Sequence, residues 1–145
     1  MTATNSIQDL FNQVEAASAS FLAGDSAPVM SLWSRASDVS IFGGSGSYAQ
    51  GWSAVEPRLS WAAKLFHGGH GSIELITMGK SGDLAYMVYI ERGETREERS
   101  DETRQVALRV TRIYRQEDGA WKIIHRHADP IMESTVPALF KKEGS

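Results

Sequence analysis

The first half of the chain carries apolar residues at helical spacing in three segments. Residues 6–23 repeat an apolar residue every three or four positions, which predicts an amphipathic helix. A short second helix is predicted after Asp25 or Ser26, and Ser53 and Glu56 have the spacing of a capping box that opens a third helix. Helices therefore dominate the first half of the chain.

The second half alternates apolar and polar positions, which is typical of β-strands. Long strands are predicted at 71–78 and 83–92, and a shorter one at 38–42 precedes the glycine-rich loop 43–47. The mixed-sign charge run 91–104 is interpreted as a solvated hairpin tip. Helices followed by long antiparallel strands predict an α+β domain, in which the helices cover a curved sheet and leave a cone-shaped, apolar cavity.

The most informative segment is 105–129, which is predicted to form two strands joined by a turn at Asp118-Gly119. Successive side chains of a strand point to opposite faces. The alternation therefore predicts that one face of the last strand carries five side chains in a row, those of Trp121, Ile123, His125, His127 and Asp129. This row is either a wall of the cavity or a polar contact between subunits.

His125, His127 and Asp129 are the candidate catalytic residues. An imidazole held by a carboxylate can act as a general base or bind an anion. The alternative is a polar patch at the end of the sheet or a subunit contact. Two histidines and a carboxylate could also hold a metal together with His67 and His70, but no other ligand spacing supports this, and no metal site is predicted.

Arg112 interrupts an otherwise apolar row on the first strand of this hairpin. A buried guanidinium costs desolvation energy unless an anion or a carboxylate meets it. Arg112 is therefore a candidate ligand-binding residue, with Tyr114 on the same face. An internal partner such as Asp129 or Glu74 is the alternative, and the pattern leaves open whether this face or that of Arg109 lines the cavity.

Aromatic residues supply the other ligand-binding candidates. Tyr48 and Trp52 flank the end of the segment 43–51, where they are predicted to line the mouth of the cavity. Trp33 is predicted to point inward from the second helix and is included with them. Trp121 is interpreted as core packing.

The composition limits the classes of protein to consider. The chain has 145 residues, enough for a single domain spanning 1–145, and its hydrophobic share of 41% is ordinary for a soluble protein. A net charge of −3 with interleaved signs gives no basic surface for nucleic acid. The absence of cysteine excludes a thiolate nucleophile. Without a signal peptide or a long apolar run, the chain is expected to be cytoplasmic and not to bind membranes.

The last two predicted strands also carry a resemblance to a known family. Leu108-Arg109-Val110-Thr111-Arg112 and the pattern Asp118-Gly119-x-Trp121-x-Ile123-x-His125-x-His127 resemble the closing hairpin of the nuclear transport factor 2-like superfamily, in its SnoaL-like and ketosteroid-isomerase-like branch. The segment 111–114 is also similar to the association domain of calcium/calmodulin-dependent protein kinase II. The resemblance implies a cystatin-like, cone-shaped fold, a homodimer formed through the sheet, and an Arg112 that lines the cavity.

The resemblance does not extend to the residues that isomerases of this superfamily use. Residues 6–24 contain no tyrosine, the end of the first strand lacks a carboxylate, and 105–115 contains no acid. Two hypotheses follow. One is a cofactor-independent isomerase, dehydratase or cyclase acting on a small carbonyl or carboxylate compound, with His127 or His125 as base and Arg112 as stabiliser. The other is a non-catalytic ligand-binding or assembly module.

Overall fold

The computed structural model describes residues 6–66, 68–96 and 102–131. The elements are α1 (Ile7–Leu22), α2 (Ala27–Ser31), β1 (Ser40–Phe42), β2 (Tyr48–Gln50), α3 (Trp52–Ala63), β3 (Gly69–Ser81), β4 (Leu84–Arg96), β5 (Thr103–Glu117) and β6 (Ala120–Pro130). None of the helices in these ranges is long and apolar enough to cross a bilayer. The predicted α+β class is confirmed.

The six strands form one sheet in the order β2-β1-β6-β5-β4-β3. Every neighbouring pair is antiparallel except β1 and β6, which run parallel. The three long hairpin strands β4, β5 and β6 form its centre, and the helices pack on one face, which we call the inner face. The largest buried side chains lie between this face and the helices, and they include Trp33, Met87, Tyr89, Tyr114 and Ile123.

Local signals place α1 and α2 correctly but not the start of α3. The Ser6 hydroxyl accepts a hydrogen bond from the Asp9 amide at 3.1 Å and caps α1. Gly24 follows this helix with φ of 93°, a conformation that glycine adopts without strain. The capping box predicted for α3 is wrong, because the helix begins one residue before Ser53, after Gly51. Glycine at φ of 82° makes this turn without a side-chain cap.

A β-bulge in β6 decides which side chains face the helices. Ile113 pairs with His125, but its neighbour Tyr114 pairs with Ile123, so Ile124 is an extra residue on β6. A bulge of this kind places two residues opposite one and reverses the alternation beyond it. Trp121 and Ile123 are buried on the inner face, whereas the next odd-numbered side chain, His125, lies on the outer face beside Ile113.

The predicted row of five side chains on one face is therefore wrong. His125, His127 and Asp129 lie on the outer face of the sheet, and Arg126 and Ala128 take their place on the inner face. The simple alternation failed because one inserted residue changes the parity of everything that follows it. On β5 no such interruption occurs, and Val110, Arg112 and Tyr114 are buried together as the alternation predicts.

The solvated part of the charge run 91–104 begins later along the chain than the sequence suggests. β4 continues to Arg96 and β5 starts at Thr103, so the first acidic residue of the run, Glu91, belongs to the strand. Its side chain points to the inner face and is only 19% exposed. The interpretation of 91–104 as a solvated hairpin tip is wrong for this residue, and 97–101 lie outside the described residues.

Candidate functional site

A cavity of about 370 Å³ lies between the helices and the inner face of β4, β5 and β6. Its walls come from the last turns of α1, from α3 and the residues after it, and from the glycine-rich loop after β1. Most of the lining is apolar, for example Phe21, Leu59 and Leu108. The size is that of a small-molecule site, for which an apolar cleft with a few polar groups is typical.

Arg112 is the most deeply placed charge in this cavity. Its side chain lies in the middle of β5 and the residue is 2% exposed. One terminal nitrogen, Nη1, donates a long hydrogen bond of 3.5 Å to the Tyr114 hydroxyl, and Nε has no partner. Among the described residues, no carboxylate lies within ion-pair distance of this guanidinium. The part of the chain that the structure describes therefore offers this buried positive charge no direct counter-ion.

A second arginine lies opposite the first. Arg126 on β6 is the cross-strand neighbour of Arg112, and its side chain also points into the cavity. Its Nη2 donates to Oε2 of Glu91 at 3.1 Å, and the Ser18 hydroxyl donates to Oε1 of the same carboxylate at 3.0 Å. Glu91 thus neutralises Arg126 and ties α1 to the sheet. Like charges at opposed positions of a sheet are unfavourable, which makes the unpaired Arg112 more costly.

Two buried phenols surround the charge of Arg112. Its Cζ lies 5.6 Å from the ring centroid of Tyr89, in the range of a cation–π contact. Burial raises the pKa of Tyr89 to about 12, although the Arg112 charge opposes this shift. Burial also disfavours the charged form of Arg112, but the neighbouring Tyr89, Tyr114 and Glu91 outweigh it and raise the pKa of the guanidinium. Arg112 therefore stays cationic.

The mouth of the cavity is formed by α3 and the glycine-rich loop. The Arg58 guanidinium donates from Nη2 to the Ser45 hydroxyl at 2.7 Å and lies 4.4 Å from the ring centroid of Trp61. Gly44 lies so close to the sheet that a Cβ there would meet a methyl group of Leu108 at 3.0 Å. A larger residue at this position would push into the cavity wall.

The three candidate catalytic residues lie outside this cavity. His125 accepts or donates a hydrogen bond of 2.7 Å with the Ser40 hydroxyl, and both its ring and that of His127 contact Phe42 edge-on at 5.0 and 5.3 Å. Asp129 forms a two-point ion pair with Arg109 at 2.7 and 3.0 Å. The structure therefore does not bring these histidines together with Arg112, which faces the other side of the sheet.

The aromatic candidates are also distributed differently from the prediction. Trp33 is fully buried in the core, and Tyr114 lies behind Arg112 and does not contribute to the cavity wall. Trp52 stacks under Arg35, whose Cζ is 4.0 Å from the ring centroid. Tyr48 is 77% exposed and lines a separate outer hollow beside Phe42 and His127. Neither Tyr48 nor Trp52 lines the large cavity, and Trp61 lies at its mouth.

The described residues contain no group of three or more His, Cys, Asp or Glu side chains that could hold a metal ion. His70 is exposed on β3, at the far edge of the sheet from the other histidines. His67 lies outside the described residues.

Five polar residues among those described around the cavity were not singled out by the sequence pattern, namely Ser18, Ser45, Arg58, Glu91 and Arg126. Glu91 was assigned to a solvated charge run, and the simple alternation along β6 would have placed Arg126 on the outer face. An available signal was that Glu91 lies two residues after Tyr89 and two before Gly93 in one strand, which places all three on the same, inner face. For Arg126, the bulge had no visible signature in the sequence.

The family comparison agrees with the architecture. Residues 7–133 match the model of the SnoaL-like domain. A comparison with curated protein sequences finds no significant match.

Solved structures show the same fold at low sequence identity. A nuclear transport factor 2 (NTF2-like) superfamily protein from Salmonella enterica superposes with a TM-score of 0.72 at 14% identity, covering 90% of this chain and 94% of that chain. A ketosteroid isomerase-like protein from Erwinia carotovora has a TM-score of 0.73 at 14% identity, with 89% and 98% covered. The association domain of C. elegans CaMKII has a TM-score of 0.62 at 13% identity, with 84% and 93% covered.

Replacement of the two inner arginines should change stability to different extents. Arg112→Met removes a guanidinium that has no carboxylate of the described residues within ion-pair distance, and the free energy of unfolding should stay within about 1 kcal/mol of the wild type. Arg126→Met leaves the Glu91 carboxylate without its cation and should lower it by about 1–3 kcal/mol. Urea denaturation of both variants measures the difference. A loss of stability in Arg112→Met as large as that in Arg126→Met would mean that Arg112 is satisfied inside the protein.

The pH dependence of stability should contain a contribution from His125. Burial, and then the charge of His127, lower the pKa of His125 although the Ser40 contact opposes this. The unfolded state therefore binds a proton at this ring more readily than the folded state does. The neutral ring contributes its full stability to the fold above about pH 6.5, and this contribution is lost as the pH falls through the lowered pKa.

Urea denaturation of the wild type and His125→Asn between pH 5 and pH 8 isolates this contribution. Stability should rise with pH more steeply in the wild type than in the variant. His70→Asn, which changes an exposed histidine, serves as the matched control and should keep the wild-type slope. Equal slopes for all three proteins would show that His125 titrates as it does in the unfolded chain.

Proposed function

Since the chain belongs to the SnoaL-like domain family, we propose that its cavity binds a small, largely apolar molecule whose carboxylate or carbonyl oxygen lies against Arg112. Proteins that share one fold can have unrelated activities, so family membership alone does not give a function. The proposal therefore depends on the chemistry of the cavity. A planar guanidinium offers two parallel N–H groups to a carboxylate, and such pairing is strongest where water is excluded.

The observation that carries the proposal is the unsatisfied guanidinium of Arg112. A charge that is 2% exposed and has an unpartnered Nε needs an anion or water to complete its hydrogen bonding. The adjoining cavity of about 370 Å³ has room for a ligand of many atoms, and its apolar walls favour an organic body over a bare inorganic ion.

Benzoate is a suitable first probe, because it joins a carboxylate to a compact apolar ring. Its binding, followed by NMR titration, should weaken by about 1.5–3 kcal/mol in Arg112→Gln, the range for a hydrogen bond to a charged group. Arg92→Gln makes the same chemical change at an exposed arginine of β4 and should leave the affinity unchanged. Equal affinity of the Arg112→Gln variant and the wild type would remove Arg112 from the binding site.

A cofactor-independent isomerase, dehydratase or cyclase is the second candidate function. Such an enzyme needs a base in the same space as the group that stabilises developing charge. His125, His127 and Asp129 face the opposite side of the sheet, so this version of the proposal takes its base from the cavity itself. Glu91 favours this enzyme hypothesis, because it supplies a carboxylate on the same inner face as Arg112.

We further propose that the outer face of the sheet joins two copies of the chain. Apolar side chains are exposed there in neighbouring positions, Tyr86 opposite Ile113 and Phe42 beside the two histidines. Patches of this kind mark protein contacts more often than free surface. The assembly function and the cavity would then use opposite faces of the same strands.

Ile113→Asp tests the dimer, because a carboxylate at the centre of this face would be buried unpaired in the interface. Sedimentation equilibrium should find a dimer for the wild type and a monomer for the variant. Leu65→Asp changes an exposed leucine at the cavity mouth and should remain dimeric. A wild-type protein that is monomeric at high concentration, or a dimeric Ile113→Asp, would contradict the proposed interface.

A further inference from the structure

Glu91 is the one carboxylate among the described residues that line the cavity. Within the described part of the chain, each of its oxygens accepts a single hydrogen bond, from Ser18 at 3.0 Å and from Arg126 at 3.1 Å. An ionised carboxylate offers about four lone-pair positions. Glu91 therefore keeps acceptor capacity directed at the cavity, and its 19% exposure allows a ligand to reach it.

The charges on the inner face do not cancel. Of the described residues around the inner cavity, Arg112 and Arg126 contribute two positive charges and Glu91 contributes one negative charge, which leaves one positive charge among them. In a space shielded from water this excess is neutralised by a ligand with one negative charge. A ligand with two negative charges would place the second one near the Glu91 carboxylate. Arg58 at the mouth is half-exposed and already engaged with Ser45 and Trp61, so solvent screens its contribution.

We propose that the ligand is a monoanion that also carries a hydroxyl group, with the anion on Arg112 and the hydroxyl donating to Glu91. This inference rests on the proposed function and adds the second polar group and the charge of the ligand. Glu91 discriminates in both directions, since it accepts a hydrogen bond from a hydroxyl and repels a second carboxylate at the same position.

Substituted benzoates separate these requirements because they share one ring and one carboxylate. The probes are benzoate, 3- and 4-hydroxybenzoate, and the dianions isophthalate and terephthalate, titrated into the intact protein at neutral pH. At least one hydroxybenzoate should bind about tenfold more tightly than benzoate, the effect of one hydrogen bond to a charged acceptor. Both dianions should bind more weakly than benzoate.

Glu91→Gln tests the assignment while it keeps the side-chain shape and an oxygen for Arg126. The advantage of the hydroxybenzoate over benzoate should fall to about threefold or less, because a neutral acceptor is weaker. The dianions should recover affinity relative to benzoate, since the repelling charge is gone. Glu74→Gln makes the same change on the exposed side of β3 and should reproduce the wild-type order of affinities.

The outcomes distinguish the two proposals. If benzoate does not bind, or binds independently of Arg112, the proposed function fails and this inference fails with it. If benzoate binds through Arg112 but neither hydroxybenzoate gains affinity, only the role of Glu91 is overturned. The same conclusion follows if the hydroxyl advantage survives unchanged in Glu91→Gln.

Discussion

The main constraint on this structure is that two arginines occupy opposed positions on the buried face of its sheet. Arg112 and Arg126 are cross-strand neighbours, and only Arg126 has a carboxylate of the described residues within ion-pair distance. A buried charge without a counter-ion is a large cost for a domain with a net stability of about 5–15 kcal/mol. The surrounding core must offset this cost. It does so with fully buried aromatic residues such as Tyr89 and Tyr114 on the same face.

The bulge at Ile124 creates this arrangement. Without the extra residue, the regular alternation would place His125 and His127 toward the helices and Arg126 toward the outside. With it, the imidazoles share the outer face with Phe42, and a second arginine enters the cavity. Bulges are over-represented next to active sites, where they redirect side chains. Here a single residue separates the polar groups of β6 into an outer and an inner set.

The sequence predicted what depends on unbroken periodicity and short-range signals. The turn at Asp118-Gly119, the first helix and the placement of Val110, Arg112 and Tyr114 on one face of β5 follow from spacing alone, whereas the spacing left open which face of β5 lines the cavity. Arg126 could not be assigned, because nothing in the letters around Ile124 marks an inserted residue. Glu91 was hidden for a different reason. It begins a run of charges, and composition alone cannot show where a strand leaves the core and enters solvent.

The two faces of the sheet also differ in how their polar groups are satisfied. On the outer face, Asp129 has Arg109 and His125 has Ser40, and water can complete the remaining hydrogen bonds of these partly exposed groups. On the inner face, Arg112 retains an unpartnered nitrogen and Glu91 retains unused acceptor positions. Polar groups that are buried and incomplete are expensive to keep, whereas completed ones are stable as they are. This difference supports the proposal of a ligand site on the inner face, with the histidines outside it.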